Sequence, residues 1–159
     1  MENILKRKNF FLFVLFISIF SIISAIYIEY ILNQKPCELC LYQRYPYLAA
    51  IFISFFGYFY TDKILFFYVM ILTFIISVIL SGYHIGVEQD IFLGLASCSS
   101  ENLNILDKSE LLKSFDDISV SCKDVSFKLL GLSLATINFL LSVIIIIFGL
   151  VIFNYEKNR

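Results

Sequence analysis

Charge is what this sequence has least of. Only 16% of its 159 residues are Asp, Glu, Lys or Arg and 60% are hydrophobic, against roughly 25% and 45–50% in an ordinary soluble domain. That shortage excludes a simple water-soluble globule. Neither sign is in excess: twelve Lys and Arg against thirteen Asp and Glu give a net charge of -1, which leaves no basic surface for nucleic acid. Tryptophan is absent and histidine occurs once, as His84. An interfacial aromatic belt therefore rests on tyrosine alone, and a zinc site pairing two cysteines with two histidines cannot be built. There is no Gly-rich dinucleotide fingerprint and no Cys-x-x-Cys-His haem-attachment run. With 18 Phe and 10 Tyr, the chain is too apolar to remain disordered in water.

What is present is a set of four charge-free stretches, Asn9 to Ile28, Tyr45 to Thr61, Ile64 to Val87 and Leu129 to Tyr155, of 20, 17, 24 and 27 residues. A bilayer core of about 30 Å needs about 20 apolar residues in a helix rising 1.5 Å per residue, with about 17 as the lower limit. All four reach that limit, so the expected fold is an all-α membrane protein, a four-transmembrane-helix bundle forming one domain over 1–159. The helices are placed at about 9–32, 45–61, 64–84 and 129–153, with loops at about 33–44 and 85–128. The second is the shortest and contains Gly57. A cleavable signal peptide usually has an apolar run of about 7–15 residues, whereas this one is unbroken from Phe10 to Ile28, so the first helix is read as retained. Tyr27, Tyr30, Tyr45, Tyr47, Tyr58, Tyr60, Tyr83 and Tyr155 fall near the expected helix ends, where such rings favour the headgroup layer.

Lys6, Arg7, Lys8, Lys63, Lys157 and Arg159 crowd into short terminal and turn segments, which the positive-inside rule assigns to the cytoplasm. Both termini are thus expected to be cytoplasmic. Cys37 and Cys40 follow the first span, Cys98 and Cys122 follow the third, and two spans separate the loops that carry them. All four cysteines then share the non-cytoplasmic side, which in a bacterium is the oxidising periplasm.

Pro36-Cys37-Glu38-Leu39-Cys40 carries the chemistry. A Cys-x-x-Cys pair serves either redox exchange or zinc. Zinc needs four ligands, commonly from two such pairs, and the other two cysteines are 24 residues apart. Redox chemistry is therefore expected and no metal. Cys40 stands just before the second span, where a helix N-terminus stabilises a thiolate. Arg44, four residues on, shares a helical face with Cys40 if that turn is helical, although Pro46 also suits a helix start and would loosen the alignment. Arg44 as a snorkelling interfacial cation is the plainer reading of that residue by itself. An apolar electron carrier in the bilayer, a quinone, fits the location.

Lys35 to Tyr47, with its Pro-Cys-x-x-Cys-x-x-x-Arg pattern, resembles the first periplasmic loop of the DsbB family, the quinone-coupled disulfide bond formation proteins. Gly82 to Gln89 followed by Cys98, and Leu130 to Asn138 opening the last span, resemble that family too. The resemblance implies a bacterial inner-membrane thiol oxidase. A periplasmic DsbA-like thioredoxin-fold dithiol would attack the Cys98/Cys122 disulfide, electrons would pass to Cys37/Cys40, and ubiquinone or menaquinone near Cys40 and Arg44 would reoxidise that pair. Two other readings stand beside it: a structural or binding membrane protein whose disulfides staple its loops, and a vitamin K epoxide reductase-like enzyme, against which the early position of the motif argues.

Lesser expectations concern single residues. Ser109 is a candidate cap of a short amphipathic helix bearing Leu111, Leu112, Phe115 and Ile118. Glu29 is expected to reach the interface, His84 to be a satisfied group at a helix end, and Ser133 and Asn138 to make interhelical hydrogen bonds.

Overall fold

The computed structural model describes residues 7–61, 63–89, 91–92, 128–129 and 131–158. Four long helices, α1 (Arg7–Tyr30), α3 (Arg44–Phe59), α4 (Ile64–Glu88) and α5 (Leu134–Lys157), are joined by a short α2 (Glu38–Tyr42) and a two-residue hairpin, β1 (Lys128–Leu129) with β2 (Leu132–Ser133). The bundle packs α3 on α1 and α4, and α4 on α5.

The distribution of side chains is the reverse of a soluble protein's. Phe16, Phe20 and Phe52 are 65%, 73% and 66% exposed, while Ser18, Ser54, Ser77, Ser81 and Ser142 are fully buried. Large apolar rings point outward to a medium in which they cost nothing, and small hydroxyl residues sit where helices meet, as in a bilayer. Ser77 and Ser142 join α4 to α5 at 2.9 Å, and Ser81 returns its hydroxyl to the Ser77 carbonyl at 2.7 Å. Between them lies an apolar core of Phe10, Phe11, Val14, Ala50, Phe67, Met70, Phe74, Ile145 and Ile152. Gly57, the weak point of the second stretch by propensity, is a packing position: a Cβ there would lie 2.6 Å from the Phe11 ring.

Among the described residues three helices, α1, α4 and α5, are long and apolar enough to cross a membrane. The chain is a membrane protein. α3 has 16 residues, a rise of about 24 Å against a core of about 30 Å, and falls short of that measure.

Polar contacts fix which ends lie together. Arg7 pairs with Glu156, and Lys8 lies 4.5 Å over the Tyr58 ring, so the start of α1 and the ends of α3 and α5 share one end of the bundle. At the other end Glu29 of α1 meets Arg44 of α3 at 2.6 Å.

Helix boundaries differ from the expected ones where local chemistry, not charge, sets them. The last helix begins at Leu134, not about 129: Gly131 turns the hairpin at φ +83°, and Ser133 caps α5 by accepting the Thr136 amide at 3.2 Å. Ser133 is thus a cap and not an interhelical contact. The third helix continues past 84 to Glu88, because its apolar pattern runs through Val87 before a charge appears. The first ends at Tyr30, with Asn33 at φ 51° leading the chain away, and the second ends at Phe59. The expected first loop contains α2, and Arg44 already belongs to α3. Pro46 occupies the third position of α3, where a missing N–H leaves no helical bond unmade. Tyr47 departs from the tyrosine belt: it is 5% exposed, whereas Tyr27, Tyr30, Tyr45 and Tyr60 are more than half exposed.

Candidate functional site: a dithiol with a buried histidine

The Cys-x-x-Cys segment folds as its own short helix. Cys37 is the residue before α2, extended at φ -73° and ψ 164°, and its Sγ accepts the Cys40 amide at 3.3 Å. Cys40, expected just before a helix, lies within α2, and it is Cys37 that stands at the helix N-terminus. Cys37 is buried with Leu39 against Val87 and Tyr83 of α4. Its thiol points to Cys40 Sγ at 2.7 Å, the two sulfurs being unbonded. A disulfide of about 2.05 Å is therefore reached by side-chain adjustment.

His84 does not sit idle at a helix end. Because α4 continues for another turn, the imidazole is carried inward and is 2% exposed. Its Nε2 is 3.6 Å from Cys37 Sγ and 3.7 Å from Glu88 Oε1, and its Nδ1 is 2.9 Å from Gln43 Nε2. The contacts beyond it form a line with a direction. The Tyr47 hydroxyl donates to Asn138 Oδ1, Asn138 Nδ2 donates to Gln43 Oε1 at 3.0 Å, and Gln43 Nε2 donates to His84 Nδ1. With Nδ1 accepting, the neutral ring carries its proton on Nε2, facing the Cys37 sulfur and Glu88. Asn138 is thus the interhelical hydrogen-bonding residue the sequence suggested, while Gln43 and Glu88 were given no part. The spacing of His84 and Glu88, four residues apart on one helix face, was the available signal. For Gln43 no local pattern distinguishes a 95-residue reach to Asn138 from a loop amide.

Arg44 is committed to Glu29. Gln43, at φ -68° and ψ -15°, continues the helical course from the turn of Cys40 into Arg44. Cys98, Cys122 and the amphipathic segment from Ser109 to Ile118 lie outside the described residues.

Cys37 holds its proton tightly. The thiol is pushed up from 9.0 to about 12, first by its hydrogen bond to Cys40 and then by burial, with His84 pulling the other way. A raised value keeps the neutral thiol to higher pH: at pH 8 the thiolate falls from about one molecule in ten to about one in ten thousand. Replacing Cys40 by Ala removes the largest cause, so alkylation of reduced Cys37 by iodoacetamide should begin at lower pH than in wild type. An unchanged pH profile would show that Cys40 does not hold that proton.

The site thus joins two sulfurs, an imidazole and a carboxylate at one end of a membrane bundle, a setting for thiol exchange. A protein 35% identical over 150 residues, covering 90% of this chain and 86% of its own length, is the uncharacterized protein RP370 of Rickettsia prowazekii (strain Madrid E). The family model described as disulfide bond formation protein DsbB matches residues 7–152, which include both sulfurs, His84 and the whole line to Asn138. The chain belongs to the DsbB family, membrane oxidoreductases of disulfide bond formation.

Proposed function

We propose that this protein is a quinone-dependent thiol oxidase of the bacterial inner membrane that reoxidises a periplasmic DsbA-like protein. The observation that carries the reading is the Cys37/Cys40 pair, with sulfurs 2.7 Å apart and held against His84 at the bundle end remote from Arg7 and Glu156. In this reading α3 is the fourth span. Its two ends are tied to Glu29 and Lys8, near opposite ends of α1. The end bearing Arg7, Lys8, Lys63 and Lys157 faces the cytoplasm, and both cysteine loops face the periplasm.

Exchange begins when a thiolate of the partner attacks the Cys98/Cys122 disulfide. The loop thiol so released attacks the Cys37–Cys40 disulfide, the partner's second thiol displaces the loop sulfur that holds it so that the partner leaves oxidised, and that displaced sulfur re-forms the Cys98–Cys122 disulfide, leaving Cys37 and Cys40 both reduced. Two electrons and two protons then reside on Cys37 and Cys40. Ubiquinone or menaquinone, when bound, accepts two electrons and two protons and becomes the quinol. The residues present suit such a molecule: an open cavity of about 310 Å³ is lined by Tyr42, Tyr45, Ala49, Ile76 and Leu80, among others. Its wall is nearly all apolar, as an isoprenoid chain requires, and Tyr42 and Tyr45 flank Cys40 and Arg44 in sequence. His84 presents Nε2–H to Cys37 Sγ, stabilising negative charge there as the pair is reduced.

The test is to mix purified protein with a reduced DsbA-type dithiol and ubiquinone in detergent. One quinone should be reduced per partner disulfide formed, at a rate falling to background when the enzyme's thiols are first alkylated. Partner oxidation without quinone consumption would overturn the reading.

A further inference from the structure

The same sulfurs, in their reduced state, meet the requirements of a metal site. Cys37 Sγ, Cys40 Sγ and a ring nitrogen of His84 all lie within 4.8 Å of one another. Tetrahedral zinc, with bonds of about 2.3 Å to sulfur and 2.0–2.1 Å to nitrogen, holds its sulfur and nitrogen donors about 3.6 Å apart. The Cys37 Sγ to His84 Nε2 distance is 3.6 Å. The two sulfurs need to separate by about 1 Å to accept the ion, and Cys40, being only half-buried, has room to rotate.

We infer that the reduced protein captures a thiophilic cation of the zinc type through Cys37 Sγ, Cys40 Sγ and His84 Nε2, with a water molecule at the fourth position. Two thiols release two protons as two metal–sulfur bonds form, and no electron moves. Two thiolates, a neutral imidazole and a dication sum to zero charge, which suits a buried location.

The surroundings can supply the required tautomer. A metal on Nε2 needs Nδ1 protonated and donating to an oxygen. Rotation of the Gln43 amide offers Oε1 to Nδ1, rotation of Asn138 then lets Nδ2 donate to Tyr47, and that hydroxyl both donates and accepts. The amides of Gln43 and Asn138 thus allow the line to run in the reverse direction, the Tyr47 hydroxyl then accepting instead of donating.

The sequence argued against zinc because it holds one histidine and widely spaced second cysteines. Folding brings the histidine to the pair from 47 residues away. If the site also works as a thiol oxidase, as proposed above, the bound ion occupies both attacking sulfurs and turnover stops until it leaves.

Cobalt tests this without any need for turnover. The full-length protein, reduced and freed of reductant under argon, is titrated with Co²⁺ and then with Zn²⁺. Sulfur-to-cobalt charge-transfer absorption and intense ligand-field bands should appear with one ion bound and bleach on adding Zn²⁺. They should persist in a Cys98→Ser/Cys122→Ser variant, vanish in Cys37→Ser, and need at least tenfold more metal in His84→Ala, each variant retaining wild-type helical circular dichroism. Absence of the bands in reduced wild type, or bands unaltered in His84→Ala, would overturn the assignment. Failure of quinone reduction in a protein that still binds cobalt would count against the oxidase reading alone.

Discussion

Quinone reduction is expected to fall at least a thousandfold in Cys40→Ser, and to survive in Cys98→Ser when a small dithiol replaces the protein partner. The first loss is equivalent to about 4 kcal/mol in the barrier, because a hydroxyl neither forms a disulfide with Cys37 nor leaves as a stable anion. Cys37 and Cys40 lie together beside His84, so dithiothreitol can reduce that pair directly when Cys98 is missing. With a DsbA-type partner, the same Cys98→Ser variant should be slow, since the sulfur the partner attacks is gone. The measurement is quinone absorbance with each reductant in turn. Equal rates for Cys40→Ser and wild type would remove that sulfur from the reaction.

The second large effect concerns stability. In Gly57→Val the new Cβ must enter space that the Phe11 ring fills, with three ring atoms between 2.6 and 2.8 Å away. Phe11 is 1% exposed and packs against Phe10 at 6.0 Å between ring centroids, so the ring cannot simply swing away. Overpacking of this kind costs about 1–3 kcal/mol, which lowers a thermal midpoint by about 2–12 °C for a chain of this size. Adding Phe11→Ala should recover part of the loss, because the two substitutions act on one contact. Thermal unfolding in detergent, followed by helical circular dichroism, checks both. A Gly57→Val midpoint equal to wild type would show that α1 and α3 do not approach as closely as described.

Much of this arrangement was legible in the sequence because bilayers impose a blunt rule. Charge-free runs located the long helices, and the Pro-Cys-x-x-Cys-x-x-x-Arg pattern located the sulfur pair and the family. Caps were less visible to that reading. Counting charges could not see that Gly131 and Ser133 hold the last helix back to Leu134, although Ser followed three residues later by Thr was there to be read. Gly57 was judged by helix propensity, a local property, when its value lies in what another helix presses against it. The hardest part was the polar line. His84, Gln43 and Asn138 are far apart in sequence, and each has an ordinary solitary explanation. Their joint role exists only once α2 rests on the end of α4. Arg44 illustrates the same point: spacing along the chain could not reveal that Glu29, an acid on another helix, offers it an opposite charge at contact distance.

The Arg7–Glu156 clasp brings the beginning of the first helix beside the finish of the last. Spectroscopic labels placed beside Arg7 and beside Glu156 should therefore report short mutual distances. Joining the segment at Arg7 to that at Glu156 by a short linker and opening the Tyr60–Lys63 turn should give a circular permutant whose first helix is α4.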